Sequence, residues 1–133
     1  IAGIIFAIQE KSYKRLLGGK TLFVKFVTHD SPPQLVSKNS KIFFYLSGAS
    51  KEIMGEANIE KIEMKTVENI PMKSTLVPEE ELVEYVSSRK DRPLMVIKFK
   101  DFKKYSKPVK RVKPLTMTCE YVTKVDYNRW KLQ

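Results

Sequence analysis

The sequence has very few of the side chains that build covalent or metal-bound frameworks. Its 133 residues include one cysteine, Cys119, and one histidine, His29. A lone cysteine cannot form an intrachain disulfide, and one cysteine with one histidine is too few for a structural zinc site. We therefore expect no metal and no cofactor. Cys119 is expected to be a small buried apolar residue, and His29 an ordinary surface residue.

Long apolar runs are also absent. The segment from Ile1 to Ile8 is apolar but only eight residues long, whereas a membrane-spanning helix needs about 20 residues. It also lacks the basic region and cleavage site of a secretion signal. The apolar fraction of 42% and the charged fraction of 30% are typical of a folded soluble protein. These features predict one domain over residues 1–133, located in the cytoplasm and without membrane contact.

Positive charge is in excess, and it is unevenly placed. The net charge is +10, and residues 98–113 carry seven lysines and one arginine against Asp101 alone. A stretch of this density is the usual electrostatic footprint for a phosphate backbone. A solvated, lysine-rich surface is the alternative. The charge pattern leaves both interpretations open.

Short strands and helices follow one another in irregular order. Apolar alternation and turn residues predict strands at 4–8, 20–28, 41–47, 52–64 and 94–99, an extended edge segment at 105–113 and a strand ending near 121. Helices are predicted at 10–17, after Pro78 with Leu82, Val83 and Val86 on the inner face, and from about Lys124. This order favours an α+β fold, a small, mixed, partly open β-barrel of five to seven strands with two or three short helices.

Residues 41–59 form the best-defined unit. A strand is followed by a Ser-Gly breaker, in which Gly48 is free to take a positive φ. In the second strand, period two places Ile53, Gly55, Ala57 and Ile59 on one face. The opposite face carries Glu52, Glu56 and Glu60, whose default role is solubility. The apolar phase slips after residue 60, which predicts a β-bulge near Glu60-Lys61.

The last helix has a recognisable start. Thr123 and Asp126 have the spacing of a capping box, and Val122 and Tyr127 that of a hydrophobic staple. A short helix from about Lys124 is therefore predicted.

Three segments resemble a known superfamily. Residues 13–21, YKRLLGGKT, look like the helix–Gly–Lys–Thr segment of ASCH domains in the PUA-like superfamily. Residues 42–62 are similar to the PUA-like strand–turn–strand that EVE and YTH domains share, and residues 99–109 to the closing strand of these barrels. The resemblance covers residues 4–112. It implies a PUA-like pseudobarrel, recognition of RNA or a modified base, and membership of an uncharacterised archaeal branch.

The ASCH pattern is incomplete here. Gly18 and Lys20 match it, but Phe23 and Lys25 stand where it has Glu and Arg. In the amidohydrolase members the resemblance would require a Thr where Phe23 stands, beside Lys20 and a downstream Glu such as Glu56. Without that hydroxyl the route has no nucleophile. We therefore expect no catalytic residue, and hydrolysis of an acylated, modified nucleoside remains the alternative.

The function expected from these features is an RNA-binding module that recognises a modified or unpaired base and has no catalytic activity of its own. Basic residues would neutralise phosphates, Ser47 and Ser50 would bind a base edge, and Tyr45 would stack on a base, with Phe43 or Trp130 as alternatives. The candidate RNA-binding residues are Lys20, Lys25, Tyr45, Ser47, Ser50, Lys51, Lys103, Lys104, Lys107, Lys110 and Arg111. A protein-interaction adaptor that binds an acidic partner is the other alternative.

The sequence does not determine which face of the predicted strand 41–47 is buried. Phe43 and Tyr45 alternate with Ile42 and Phe44, so at least one pair is core. Trp130 on an amphipathic helix is more often a packing residue than a stacking platform.

Overall fold

The computed structural model describes residues 2–26, 40–48, 51–65, 70–78, 80–81, 83–84, 94–111 and 119–131. Its strands are β1 (Gly3–Ile8), β2 (Leu22–Phe26), β3 (Lys41–Leu46), β4 (Glu52–Lys65), β5 (Leu94–Lys110) and β6 (Cys119–Val122). Its helices are α1 (Glu10–Leu17) and α2 (Lys124–Lys131), with a 3-10 turn at Met72–Ser74. Glu80, Glu81, Val83 and Glu84 are also helical, so the helix predicted after Pro78 is present there.

The six strands form one mixed sheet in the order β2-β5-β4-β3-β1-β6. β1 and β3 are parallel, and the other neighbours are antiparallel. β2 and β6 lie at the two edges of this order, so the sheet is open. The predicted α+β architecture, a partly open pseudobarrel of mixed strands with short helices, is confirmed.

Glycine permits the closest strand contacts. A Cβ on Gly3 would overlap the Lys41 carbonyl oxygen of β3. A Cβ on Gly55 would lie 2.5 Å from the Lys103 carbonyl oxygen of β5 and 2.8 Å from a Phe102 ring carbon. At Gly48 the predicted positive φ is confirmed at 98°.

β5 is longer than the sequence pattern suggested. Residues 94–99 and 105–113 were predicted as separate segments, but β5 runs without interruption from Leu94 to Lys110. It pairs with β2 over Leu94–Lys98 and with β4 along its length. The Phe99 N–H still donates to the Thr21 carbonyl just before β2. Beyond Phe99, β5 has a described neighbour on one side only, which suits a strand containing Pro108.

Two irregularities set which residues of β4 face which side. The bulge predicted near Glu60-Lys61 is confirmed, because the register against β5 shifts between Ile59 and Lys61. A second register shift lies between β3 and β4, close to the Gly48 turn. Tyr45 pairs with Ile53, but Phe44 pairs with Gly55. The extra residue moves Ile53 to the opposite face from Ala57 and Ile59, so the prediction of one shared face was wrong for Ile53.

Core side chains lie on both faces of the sheet. Beside α1, one cluster contains Phe6, Leu16, Phe44, Ile59 and Phe99. Beside α2, another contains Ile5, Phe43, Tyr45, Ile53, Val109 and Val122. Phe43 and Phe44 are both fully buried, so both faces of β3 are core. A third cluster, which includes Leu22, Val24 and Leu94, fills the end of the sheet at β2.

Val83 is the described member of the inner face predicted for the helix after Pro78, and Leu82 and Val86 lie outside the described residues. The Val83 side chain is 53% exposed, so its predicted inner-face position was wrong.

Candidate functional site

Helix α2 is held against the sheet by the two devices that the sequence predicted. The Thr123 hydroxyl accepts a hydrogen bond of 3.2 Å from the Asp126 backbone N–H. Val122 is buried, and Tyr127 packs against the same core cluster. The capping residue and the staple are therefore confirmed, and α2 begins at Lys124 as expected.

The rings of α2 pack on Phe43 of β3. The ring centroids of Phe43 and Tyr127 are 5.4 Å apart, and those of Phe43 and Trp130 are 5.2 Å apart in an edge-on arrangement. Trp130 is only half-buried. Its indole is therefore fixed by packing while part of its surface stays accessible.

A row of paired residues runs across three strands beneath this helix. Phe43 of β3 pairs with Glu56 of β4, and Glu56 pairs with Lys103 of β5. Paired residues on neighbouring strands project to the same face. Period two along β5 then places Tyr105 and Lys107 on that face as well. The sheet pairing thus brings a carboxylate, two lysines and a phenol together under α2.

Glu56 is buried and surrounded by donors. Its side chain accepts hydrogen bonds from the Tyr105 hydroxyl at 3.0 Å and from the Tyr127 hydroxyl at 2.9 Å to each carboxylate oxygen. The Lys41 ammonium lies 2.8 Å from Oε2 of Glu56 and also donates to Asn58 at 3.0 Å. Glu56 was expected on a solvated polar face, and at 7% exposure that expectation was wrong.

The contacts fix the ionisation states. Burial alone would raise the pKa of Glu56, but the hydrogen bonds from Lys41, Tyr127 and Tyr105 outweigh it and hold that pKa below its ordinary 4.5. Burial and the neighbouring carboxylate raise the pKa of Tyr105 and of Tyr127 above the ordinary 10.0. At neutral pH the site therefore contains one carboxylate and two protonated phenols.

A cleft of about 410 Å³ opens beside this network. Rings form its inner wall, and two exposed lysines stand at its mouth. Its lining residues are Glu56, Lys103, Tyr105, Ser106, Lys107, Val109, Tyr127 and Trp130. We call this the α2 cleft. Its mixture of planar rings, acceptor oxygens and lysine ammonium groups suits a flat, polar, anionic ligand.

Two of the predicted RNA-binding residues, Lys103 and Lys107, line the α2 cleft. Lys104 and Lys110 are exposed on the same strand outside it. Arg111 is half-buried and its guanidinium lies 2.6 Å from the Glu120 carboxylate.

The other predicted residues lie elsewhere. Tyr45 is 4% exposed, packed in the core cluster beside α2, and offers no ring surface to a base. Ser47 donates its hydroxyl proton to the Ile8 carbonyl at 3.0 Å, and Lys51 is exposed at the start of β4. Lys20 follows α1, which packs on the other core cluster, and Lys25 pairs with Met95 on β2. Ser50 and His29 lie outside the described residues.

Tyr105, Tyr127 and Lys41 contact Glu56 in this site but were not predicted as site residues from the sequence. The signal for Tyr105 is in the chain, because Lys103, Tyr105, Lys107 and Val109 alternate at period two within the basic stretch. That alternation marks one face of a strand that carries both charge and an aromatic ring. Tyr127 has no such signal, since its partner Glu56 is 71 residues away.

A second cleft of about 390 Å³ lies at the β2 end of the sheet and contains Lys61, Lys65 and Lys98. Glu63 forms ion pairs with both Lys61 and Lys65, and the lining contains no aromatic residue. This cleft has less free positive charge and no stacking surface, so the α2 cleft is the stronger candidate.

The described residues contain no cluster of His, Cys, Asp or Glu side chains arranged to hold a metal ion. Within the same part of the chain, no helix has both the length and the apolarity that a membrane crossing requires.

Comparisons with known proteins identify a family and a fold. The family model described as a domain of unknown function, DUF365, matches residues 1–124. No curated protein matches this chain. The crystal structure of ASCH from Zymomonas mobilis superposes with a TM-score of 0.76 at 14% identity and covers 98% of this chain and 94% of that chain.

Two variants of the same Zymomonas mobilis protein, ZmASCH, give the same result. The serine-to-alanine variant has a TM-score of 0.76 at 14% identity over 98% of this chain and 95% of that chain. The tyrosine-to-phenylalanine variant has a TM-score of 0.76 at 13% identity over 99% and 98%. The fold of this chain is therefore similar to that of the ASCH protein from Zymomonas mobilis.

Proposed function

This chain belongs to the DUF365 family of domains of unknown function, and we propose that it is an RNA-binding module that holds an unpaired base in the α2 cleft. The observation that carries the proposal is the convergence of Trp130, Tyr105 and Tyr127 with Lys103 and Lys107 around one cleft. The ASCH-type fold of the structural neighbours supports the same class of function.

Each part of the cleft has a role in this proposal. The accessible part of the Trp130 indole offers a surface on which a base stacks, an interaction worth about 1–3 kcal/mol per base. Lys103 and Lys107 are exposed at the mouth, where they meet the phosphates on either side of that base. Lys104 and Lys110 continue the positive charge along β5. Neutralisation of phosphates by lysines releases counterions, so binding weakens as salt rises.

The hydrolase alternative loses its geometric basis. It required Lys20 beside Glu56, but the ammonium group that contacts Glu56 is that of Lys41. Lys20 follows α1, and its neighbour Phe23 belongs to the α1 core cluster. Because Phe23 stands in place of the required hydroxyl and Glu56 is already bonded to three donors, the described residues supply no nucleophile for this route.

The proposal is tested by binding of a fluorescently labelled single-stranded RNA to three proteins. The double variant Lys103→Glu/Lys107→Glu reverses the charge at the cleft. The control Lys14→Glu/Lys73→Glu makes the same change in net charge on α1 and in the 3-10 turn, where both lysines are exposed. We expect the cleft variant to lose at least about tenfold in affinity and the control to lose about twofold or less.

Three outcomes contradict the proposal. The first is absence of RNA binding by the unaltered protein at low salt. The second is an equal loss in both variants, which would mean that the cleft has no special role. The third is capture of an acidic protein that survives nuclease treatment and requires Lys103 and Lys107, which would favour the adaptor function instead.

A further inference from the structure

The phenol protons in the floor of the α2 cleft already have acceptors. The Tyr105 oxygen lies 3.0 Å from Oε1 of Glu56, and the Tyr127 oxygen lies 2.9 Å from each oxygen of the same carboxylate. An ionised carboxylate only accepts hydrogen bonds, so in each pair the tyrosine is the donor. A phenol has one proton, and in both tyrosines it points to Glu56.

A hydroxyl oxygen that has given its proton in this way can only accept from a ligand. Tyr105 lines the cleft, so it presents lone pairs there. The Glu56 oxygens are also acceptors. Lys41, the donor closest to them, does not line the cleft and directs its protons to Glu56 and Asn58. The Glu56 carboxylate and the two phenol oxygens therefore offer only acceptors to a ligand, and the donors that line the cleft are the Lys103 and Lys107 ammonium groups, the Ser106 hydroxyl and the Trp130 indole N–H.

Ionisation does not alter this pattern near neutral pH. The pKa of Glu56 is lowered by its donors, and burial together with the carboxylate raises the pKa of Tyr105 and Tyr127. The Glu56 carboxylate therefore stays charged and both phenols stay protonated at the near-neutral pH of an RNA-binding measurement.

We propose, on the premise that the α2 cleft binds an unpaired base, that it selects bases carrying an exocyclic amino group and discriminates against uracil. Guanine, adenine and cytosine each carry an exocyclic amino group, whereas the exocyclic groups of uracil are carbonyl oxygens. An amino group donates to the Tyr105 oxygen. A carbonyl at the same point faces another acceptor, which leaves both oxygens without a partner.

The chain provides a direct readout. Trp130 is its single tryptophan and lines the cleft, so quenching of intrinsic fluorescence reports occupancy of this site. The probes are five-nucleotide single-stranded RNAs that carry uridine at every position except the centre. One pair compares central guanosine with inosine, and a second compares adenosine with purine riboside. The members of each pair differ by the amino group alone.

We expect the amino-bearing RNA of each pair to bind about three- to tenfold more tightly, as for one hydrogen bond gained. Tyr105→Phe keeps the ring and removes the acceptor oxygen. In this variant the preference for the amino-bearing RNA of each pair should fall towards one. Tyr121→Phe is the matched control, because Tyr121 is exposed on β6 and outside the cleft. It should keep the full preference.

The outcomes separate this inference from the proposed function. If no RNA quenches Trp130 and none binds by any other measure, RNA binding itself fails. If all four RNAs bind with equal affinity, or the inosine RNA binds more tightly, the protein binds RNA but the selection inferred here is overturned. A preference that survives Tyr105→Phe would place the reading group elsewhere. The comparison in the unaltered protein requires no variant to fold.

Discussion

The sequence predicts the strand face on which Glu56 lies, but it does not predict that the side chain is buried. Period two in β4 places it opposite Gly55 and Ala57, on the polar face that the sequence indicates. That face is then covered by α2, whose Tyr127 lies 71 residues further along the chain. A local pattern states which way a side chain points, but not what distant segment will pack over it. The burial of Glu56 therefore emerges only from the tertiary structure.

The first prediction concerns the charge of this buried group. Glu56→Gln keeps the shape of the side chain but removes the charge that pairs with Lys41. We expect the free energy of unfolding at pH 7 to fall by about 1–3 kcal/mol, measured by urea denaturation. The control is Glu60→Gln on the same strand. Glu60 is only partly buried and lies 3.7 Å from Lys98, so the effect should be about 0.5 kcal/mol or less.

The same variant gives a defined pH dependence. The pKa of Glu56 is lower in the folded protein than its ordinary value of 4.5. Its contribution to stability is therefore present above pH 4.5 and lost as pH falls through the folded pKa. The difference between the unaltered protein and Glu56→Gln should narrow in acid. A difference that stayed constant from pH 7 down to pH 3 would contradict the assigned network.

Gly55 is the second residue whose identity the structure explains. An added Cβ would lie 2.5 Å from the Lys103 carbonyl oxygen, and backbone atoms cannot move aside without separating β4 from β5. We expect Gly55→Ala to lower the free energy of unfolding by about 1–3 kcal/mol. Gly18→Ala is the control, because the nearest atom to its added Cβ is 3.4 Å away and its φ is −78°. Comparable losses in the two variants would show that β4 and β5 are not so closely apposed.

At the scale of whole elements, the start of α2 was predicted correctly from the sequence and the length of β5 was not. The start of α2 depends on Thr123, Asp126, Val122 and Tyr127, which are neighbours in sequence and act locally. It was therefore predictable. The continuity of β5 depends on pairing with β4 through several register shifts. One accompanies Asp101, whose φ of 57° lies in the left-handed region, a conformation that Asp tolerates better than most residues. No local signal marks such long-range pairing.

The cap of α2 gives the element-scale prediction. Thr123→Ala removes the acceptor of the Asp126 N–H and should destabilise α2 by about 1 kcal/mol. Because Tyr127 and Trp130 sit on this helix, the loss should appear as a red shift of the Trp130 emission and as faster amide exchange in α2. Thr123→Ser keeps the hydroxyl and should restore both signals. Equal behaviour of the Ala and Ser variants would show that the cap does not hold the helix.

At the scale of the whole molecule, the sequence shows the basic stretch but not the environment of each lysine within it. The pattern supplied a charge-dense segment without saying which lysines share a cleft with aromatic rings. The structure separates them, because Lys103 and Lys107 line the α2 cleft while Lys104 and Lys110 do not. The distinction depends on the face of β5 and on a helix that arrives from elsewhere in the chain. Tyr45, chosen for stacking from the sequence, is 4% exposed and belongs to the core cluster beside α2.

This separation has a measurable consequence for salt dependence. Each lysine that neutralises a phosphate of single-stranded RNA contributes about −0.7 to the slope of log K against log salt concentration. Lys103→Gln/Lys107→Gln should therefore make the slope shallower by about 1.4, measured by titrations between about 50 and 300 mM salt. Lys14→Gln/Lys73→Gln carries the same change in net charge and should leave the slope within about 0.3 of the original. If both variants shifted the slope equally, the RNA would be responding to the overall charge of +10 rather than to the cleft. A shallower slope in the cleft variant alone would place two phosphate contacts at its mouth.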